Sequence, residues 1–189
     1  MADRSITSSQ KTFIVLEGLS GSGKTTIGQL VAEKMGAEFY KTPAPLFDSI
    51  REEIDRGTDI TARFFFYLAG VIQASAEISH ILKIKPVVCD RYLLTTLCYH
   101  RALEAIIDIP DFIFEPLLKP DYTFLIICEG TKRISRLYKR GLSYDDLQEQ
   151  RLLEVEQRFL SEYRKYRLVE VDNSSDDPTI AADTILRFL

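Results

Sequence analysis

Gly18-Leu19-Ser20-Gly21-Ser22-Gly23-Lys24-Thr25 decides how this chain folds, because it matches GxxxxGK[ST] at every fixed position. Just before it, Thr12-Phe13-Ile14-Val15-Leu16-Glu17 is a nearly continuous apolar run, the pattern of a strand buried on both faces. Thr25 to Met35 then reads as a helix. Glycines let the backbone turn so that successive N–H groups face inward, and the helix start turns its positive dipole end on the same anion. Lys24 is spaced to reach the outer phosphates of a polyphosphate, and Thr25 offers a hydroxyl to a cation; Thr26 follows as the last residue of the cradle. A purely structural glycine turn is the competing reading, and the flanking strand and helix count against it.

Strands and helices alternate along the rest of the chain. Glu38-Phe39-Tyr40 reads as a second strand, Thr42-Pro43-Ala44-Pro45 as a turn that proline keeps out of a helix, and Leu46 to Arg56 as a helix. Thr61 to Ile84 is apolar around most of its circumference, with Phe64, Phe65, Phe66, Tyr67, Leu68, Val71, Ile72, Ile78, Ile81 and Leu82 on more than one face. Such a helix is expected to be covered on two sides. Pro86 to Asp90, Tyr122 to Cys128 and Leu168 to Val171 supply the remaining strands, with a helical region between the first two. This alternation implies βαβ units, a parallel sheet, and a ligand site outside the carboxyl ends of the strands. No repeat or linker interrupts it, so residues 1–189 read as a single domain with residues 1–11 flexible.

Bulk properties narrow the partners. A chain of 189 residues can sustain one core without disulfides, and 24 lysines and arginines against 28 acids give a net charge of −4. The molecule as a whole attracts neither nucleic acid nor an anionic membrane, so a phosphate site has to be local. Cys89, Cys98 and Cys128 have no CxxC spacing, and their odd number predicts free thiols in a reducing, cytoplasmic setting. Met1 to Lys11 is too polar for a secretory signal, and no run of about 18 apolar residues predicts a membrane span. His80 and His100 lack an i+4 histidine or a cysteine pair; both are expected at the surface or satisfied in the core. Phe112, Phe114, Leu117 and Leu118 read as a packing segment ahead of Pro120.

Two more stretches carry chemistry. Asp90 ends its strand where phosphate-loop enzymes place the acidic residue for Mg²⁺, and Arg91 follows with a fork suited to phosphate; a surface Asp-Arg pair is the plainer alternative. Between Glu129 and Asp145 stand Lys132, Arg133, Arg136, Lys139 and Arg140 with no acid among them. Lys132, Arg136 and Arg140 share one face at helical spacing, and Gly141 can end the helix. A strip like this could close over a triphosphate, where one arginine delivered to the transferring group is worth about 10³ to 10⁵ in rate; a solvated helix face is the alternative. The expected activity is ATP- and Mg²⁺-dependent transfer of the γ-phosphoryl group, with Lys24, Asp90, Arg91, Arg136 and Arg140 catalytic and Thr25 and Asp90 at the metal.

Phe13 to Gly18, the loop ending Gly21-Ser22-Gly23-Lys24-Thr25-Thr26, and Asp90-Arg91-Tyr92 together resemble the thymidylate kinase family of P-loop nucleoside monophosphate kinases. The resemblance implies a five-stranded parallel sheet flanked by helices, a short helical lid over 130–148, and transfer to a pyrimidine deoxynucleoside monophosphate. Ser22 stands where one form of the family has a loop arginine, so the resemblance implies a lid arginine instead. It also places the acceptor against Lys41, Pro43, Arg63, Phe66, Tyr67, Gln73 and Arg91, and implies a homodimer through the long apolar helix. Two positions depart from the family: Ser20, where aspartate is usual, and Val71, where an arginine is usual. Lys41, Arg63 or Arg91 would then have to take the acceptor phosphate.

Two other functions are compatible with the motif. A nucleoside or other hydroxyl kinase needs a base beside the acceptor, and Thr42 stands where deoxynucleoside kinases have glutamate, Asp48 being the nearest downstream carboxylate. A non-catalytic phosphate-loop switch would bind nucleotide without transfer. The basic strip and the absence of a switch motif argue against that reading.

Overall fold

The computed structural model describes residues 11–103, 109–142 and 153–189. The first ten residues of the expected flexible start, and residues 143–148 of the expected lid, lie outside that range. β1 (Phe13–Glu17), β2 (Glu38–Lys41), β3 (Val87–Asp90), β4 (Tyr122–Ile127) and β5 (Val169–Asp172) form one parallel sheet in the order β2-β3-β1-β4-β5. Between and after them run α1 (Lys24–Met35), α2 (Asp48–Gly57), α3 (Ile60–Ile81), α4 (Leu93–Ala102), α5 (Gly130–Arg140), α6 (Leu153–Arg164) and α7 (Thr179–Leu186).

β1 is apolar from Phe13 to Leu16 because it lies mid-sheet with helices on both faces. Ile14 and Leu16 pack with Ile27 and Val31 of α1 and Ile185 of α7. Phe13 and Val15 turn to the other face, against Val71, Ala74 and Ile78 of α3. Leu125 of β4 meets Cys98 of α4 and Tyr163 of α6 on that second face. Register then fixes the working edge: Leu16 and Lys41 both pair with Asp90, so the ends of β1, β2 and β3 come out level.

Several boundaries differ from the sequence-based expectation for local reasons. The helix expected from Leu46 splits into a 3-10 turn, Pro45–Phe47, and α2 proper. α3 starts at Ile60 because the Asp59 carboxylate accepts the N–H groups of Thr61 and Ala62 at 2.8 and 3.2 Å. It is covered on two sides, by the sheet and by α4, where Phe64 and Leu68 meet Leu97. By length and a mean hydropathy of 1.2, α3 could cross a membrane, a match that the sequence reading did not register. Here it is a core helix, with Phe65 and Ile72 left on its outer face. In the segment before Pro120, Leu117 is buried as expected but Phe112 is 66% exposed.

Gly28 shows how closely α1 lies on the sheet. A Cβ there would stand 2.7 Å from the Phe39 ring of β2 and 3.3 Å from Leu16. Gly28→Val should therefore cost about 2 kcal/mol through overpacking, read as a lower urea midpoint at unchanged m-value.

Candidate active site

Gly21 and Gly23 adopt φ values of 80° and 94°. A side chain at Gly23 would come within 2.2 Å of the Asn173 amide, and one at Gly21 within 2.9 Å of the Arg133 carbonyl. The loop therefore needs glycine for both conformation and space. Lys24 is 4% exposed and curls back inside the loop, its ammonium donating to the carbonyls of Gly18 and Leu19 at 2.8 and 2.7 Å. Ser22 Oγ lies 3.4 Å from the same nitrogen.

Outside contacts brace the loop. Arg91 donates to Ser20 Oγ at 3.0 Å and Gly18 O at 3.4 Å. It holds φ at 72°, a left-handed conformation costing a non-glycine residue about 1–3 kcal/mol, kept in place by its own N–H on Leu16 O at 2.9 Å. Arg133, 2% exposed, donates to Ser20 O at 3.0 Å and pairs with Glu156 at 2.7 Å. Asn173, just past β5, donates to Ser22 O at 2.8 Å. Sequence reasoning put Arg133 in the basic cluster without a separate role and passed over Asn173. Only the packing of α5 and of the β5 end on the loop reveals either.

Thr25 Oγ1 donates to Asp90 Oδ2 at 2.5 Å. Asp90 is 2% exposed and its Oδ1 is buried without a hydrogen-bond partner. A hydroxyl beside a carboxylate with an uncommitted oxygen is a suitable donor set for a hard divalent cation. Glu17, one residue before the loop, is fully buried and accepts from the Tyr92 N–H at 3.1 Å and from the hydroxyls of Thr95 and Tyr163. Burial pushes its carboxyl above the ordinary glutamate range.

A cavity of about 1020 Å³ runs from the loop across to α2, α3 and α4. Ser20, Lys24, Thr25, Asp90 and Arg91 line one end; Lys41, Pro43, Arg51, Asp55, Tyr67 and Val71 line the other. Of the seven residues assigned to the acceptor, Lys41, Pro43, Tyr67 and Arg91 line it, whereas Arg63, Phe66 and Gln73 do not. Helical geometry explains Phe66 and Gln73, since Tyr67 and Val71 share a face at i and i+4 from which both are turned away; it does not explain Arg63, which lies on that face one turn earlier. Phe66, one residue off that face, packs on Phe47 at 5.4 Å, and Gln73 is exposed and hydrogen-bonds Glu77. Arg51 and Asp55 were missed. Arg51 donates to the Tyr67 hydroxyl at 3.0 Å, and that hydroxyl donates to buried Asp55 at 2.8 Å.

The basic face of α5 is docked on the loop that follows β5. Arg136 donates to the carbonyls of Asn173 and Ser175 at 3.0 Å each, and Lys132 to Ser174 O at 2.6 Å. Arg136 and Arg140 still line the cavity. The three cysteines are free thiols, and burial raises the pKa of Cys89 and Cys98.

These features define the class: a phosphate-loop nucleotide kinase fold, with the anion cradle at the carboxyl edge of a five-stranded parallel sheet. The thymidylate kinase family model matches residues 16–182. The probable thymidylate kinase of Methanocaldococcus jannaschii is 30% identical over 94% of this chain and 95% of its own. The thymidylate kinase of Ehrlichia chaffeensis is 30% identical over 72% and 75%. Among solved structures, Candida albicans thymidylate kinase superposes with a TM-score of 0.72 at 20% identity, covering 94% of this chain and 90% of that one. Deoxyadenosine kinase from M. mycoides gives 0.66 at 19% identity, covering 94% and 98%; both agree in fold. The chain belongs to the thymidylate kinase family and is a phosphotransferase, which sets aside the switch reading.

His100, expected at the surface or satisfied in the core, is in the core at 2% exposure, satisfied at Nδ1 but not at Nε2, and lines the cavity. Burial, helped by the nearby charge of Arg63, lowers its pKa from 6.5 to about 4. The unfolded chain therefore takes up a proton that the folded chain refuses as pH falls from about 6.5 to 4. The stability this group contributes is present above that window and lost on going down through it. Relative to His100→Gln, the wild type should lose about 3 kcal/mol more between pH 7 and pH 4, measured by denaturant unfolding.

Proposed function

We propose that this kinase moves the γ-phosphoryl group of ATP, with Mg²⁺, onto the phosphate of a pyrimidine deoxynucleoside monophosphate such as dTMP. The observation that carries the reading is a cavity joining the Lys24–Thr25–Asp90–Arg91 cluster to a wall bearing Lys41 and Arg51. An acceptor phosphate is already anionic near neutral pH, so it needs positive partners and no general base. Arg51 adds to that wall a cation not counted among the sequence candidates.

Each residue then has a task. The amides of Gly21 to Thr25 and the Lys24 ammonium hold the triphosphate, with Lys24 exchanging its carbonyl partners for phosphate oxygens. Thr25 and Asp90 would hold the metal, which when bound neutralises charge on the phosphates. Arg91 stands between donor and acceptor, and its planar fork suits the phosphate passing between them. Arg136 and Arg140 both line the cavity from α5; Arg136 braces the donor side through the carbonyls it holds, and Arg140 is the arginine we assign to the transferring group.

Asp55 favours a second reading, hydroxyl phosphorylation, because it is a buried carboxylate on the acceptor wall. Its oxygens already receive the Tyr67 hydroxyl and face Arg51 at 3.7 Å, which leaves the monophosphate reading ahead. An ADP-release assay across dTMP, dUMP, CMP, AMP and the matching nucleosides separates the two. Turnover should appear with a pyrimidine monophosphate and fall at least about 100-fold in Lys24→Ala; turnover with nucleosides alone would reverse the order.

The outer face of α3, with Phe65 half exposed and Ile72 44% exposed, is the surface on which we place a homodimer contact, and the free thiols suit a cytoplasmic setting. Sedimentation at micromolar concentration should show a dimer for the wild type and a monomer for Phe65→Glu/Ile72→Glu. A wild-type monomer would rule the contact out.

A further inference from the structure

Among the buried polar side chains lining the acceptor end of the cavity that the proposed transfer does not use is His100. The His100 ring is enclosed by Phe64, Tyr99 and Tyr67, at centroid distances of 5.2, 5.3 and 6.1 Å. Its Nδ1 lies 2.7 Å from the carbonyl oxygen of Thr96, one turn back on α4. A carbonyl can only accept, so Nδ1 carries the proton and Nε2 of the neutral ring presents a lone pair. That Nε2 is buried and has no hydrogen-bond partner. Folded proteins rarely leave a buried nitrogen in this state unless something else completes it. The ring stays neutral across the ordinary working range because burial disfavours its charged form.

The neighbouring groups narrow what could complete it. Tyr67 and Val71 on α3 give the same wall an aromatic and an apolar surface, suited to the flat face of a base. The Asp55 carboxylate, the other strong acceptor nearby, is engaged by the Tyr67 hydroxyl. An acceptor nitrogen held in one orientation by three rings and one carbonyl selects for an N–H donor.

We propose that His100 Nε2 is a specificity-determining acceptor, receiving a hydrogen bond from an N–H on the edge of the acceptor's base. The inference rests on the nucleotide-kinase reading above and adds to it the group that reads the base. The donor is either the ring N–H of thymine or uracil or the exocyclic amino group of cytosine. Both present the same chemistry to Nε2.

The test is a double-mutant cycle between protein and substrate, with kcat/KM measured for wild type, His100→Phe and His100→Gln. One pair of acceptors is dTMP and its N3-methyl derivative; the other is dCMP and its N4,N4-dimethyl derivative. Blocking the N–H that Nε2 reads should cost the wild type about 10- to 100-fold, and the pair showing this identifies the base. His100→Phe should lose a similar factor on the parent acceptor and little more on the blocked one, with KM for ATP unchanged. His100→Gln, whose amide oxygen can stand near the Nε2 position, should recover most of the loss. If the phenylalanine variant does not fold, His100→Asn, too short to reach, takes its place in the cycle. Equal losses on parent and blocked acceptors, or no loss on either, would overturn the proposal. Should the wild type use nucleosides and not monophosphates, the monophosphate reading fails, and the same blocked pairs as nucleosides decide the role of His100 separately. No turnover of either would overturn both.

Discussion

The structure turns on a buried ammonium. Lys24 carries a full charge into a site that is 4% exposed, and the carbonyls of Gly18 and Leu19 compensate it. A charge buried that deeply is tolerated only when such oxygens surround it, so the loop closes around its own lysine and keeps its shape. β1 delivers the first glycine to the middle of the sheet edge, and α1 begins at the lysine itself. Three other elements hold the loop from outside: Arg91 after β3, Arg133 on α5 and Asn173 after β5. The geometry of eight consecutive residues thus depends on the whole sheet being assembled.

Ser20 is where these braces converge. Its hydroxyl accepts from Arg91 and its carbonyl from Arg133, so one short residue couples the strand carrying Asp90 to the helix carrying Arg136 and Arg140. In the sequence this position stands out as a departure from the family's aspartate. A hydroxyl can orient the Arg91 fork without cancelling its charge, as a carboxylate would. Arg133 is in turn paired with Glu156 on α6, so the loop is tied to both helices that flank the residues 143–152.

What was legible in the sequence is what local chemistry determines. The cradle depends on glycine conformations and on a strand-loop-helix order that eight residues spell out, and continuous apolar runs mark strands covered on both faces. The acceptor wall is different, because α2, α3 and α4 create it by packing together. On α3 the apolar residues run nearly all round, so periodicity could not say whether Phe66 or Tyr67 faced the cavity; the Asp59 cap and the contact with α4 set that rotation. Arg51 and Asp55 read as an ordinary polar helix face until Tyr67 is brought against them. A lone histidine in a helix gives no sign that its neighbour across the fold will be Phe64.

The two ends of the cavity therefore answer to different constraints. At the loop end backbone amides, carbonyls and compensated charges do the work, and a side chain added at Gly18 or Gly21 collides with main chain. At the acceptor end the wall consists mostly of side chains on three helices, beside Lys41 and Pro43, and a change of side chain there need not disturb a backbone hydrogen bond. Family membership is written in the first region and, on the proposed reading, acceptor choice in the second, so a chain can keep the first nearly intact while the second diverges. The buried oxygen of Asp90 and the buried nitrogen of His100, each without a partner, mark the two ends in the same way. Leaving each buried and unpaired costs the fold about 1–3 kcal/mol, at a position where a bound cation or base would supply the missing partner.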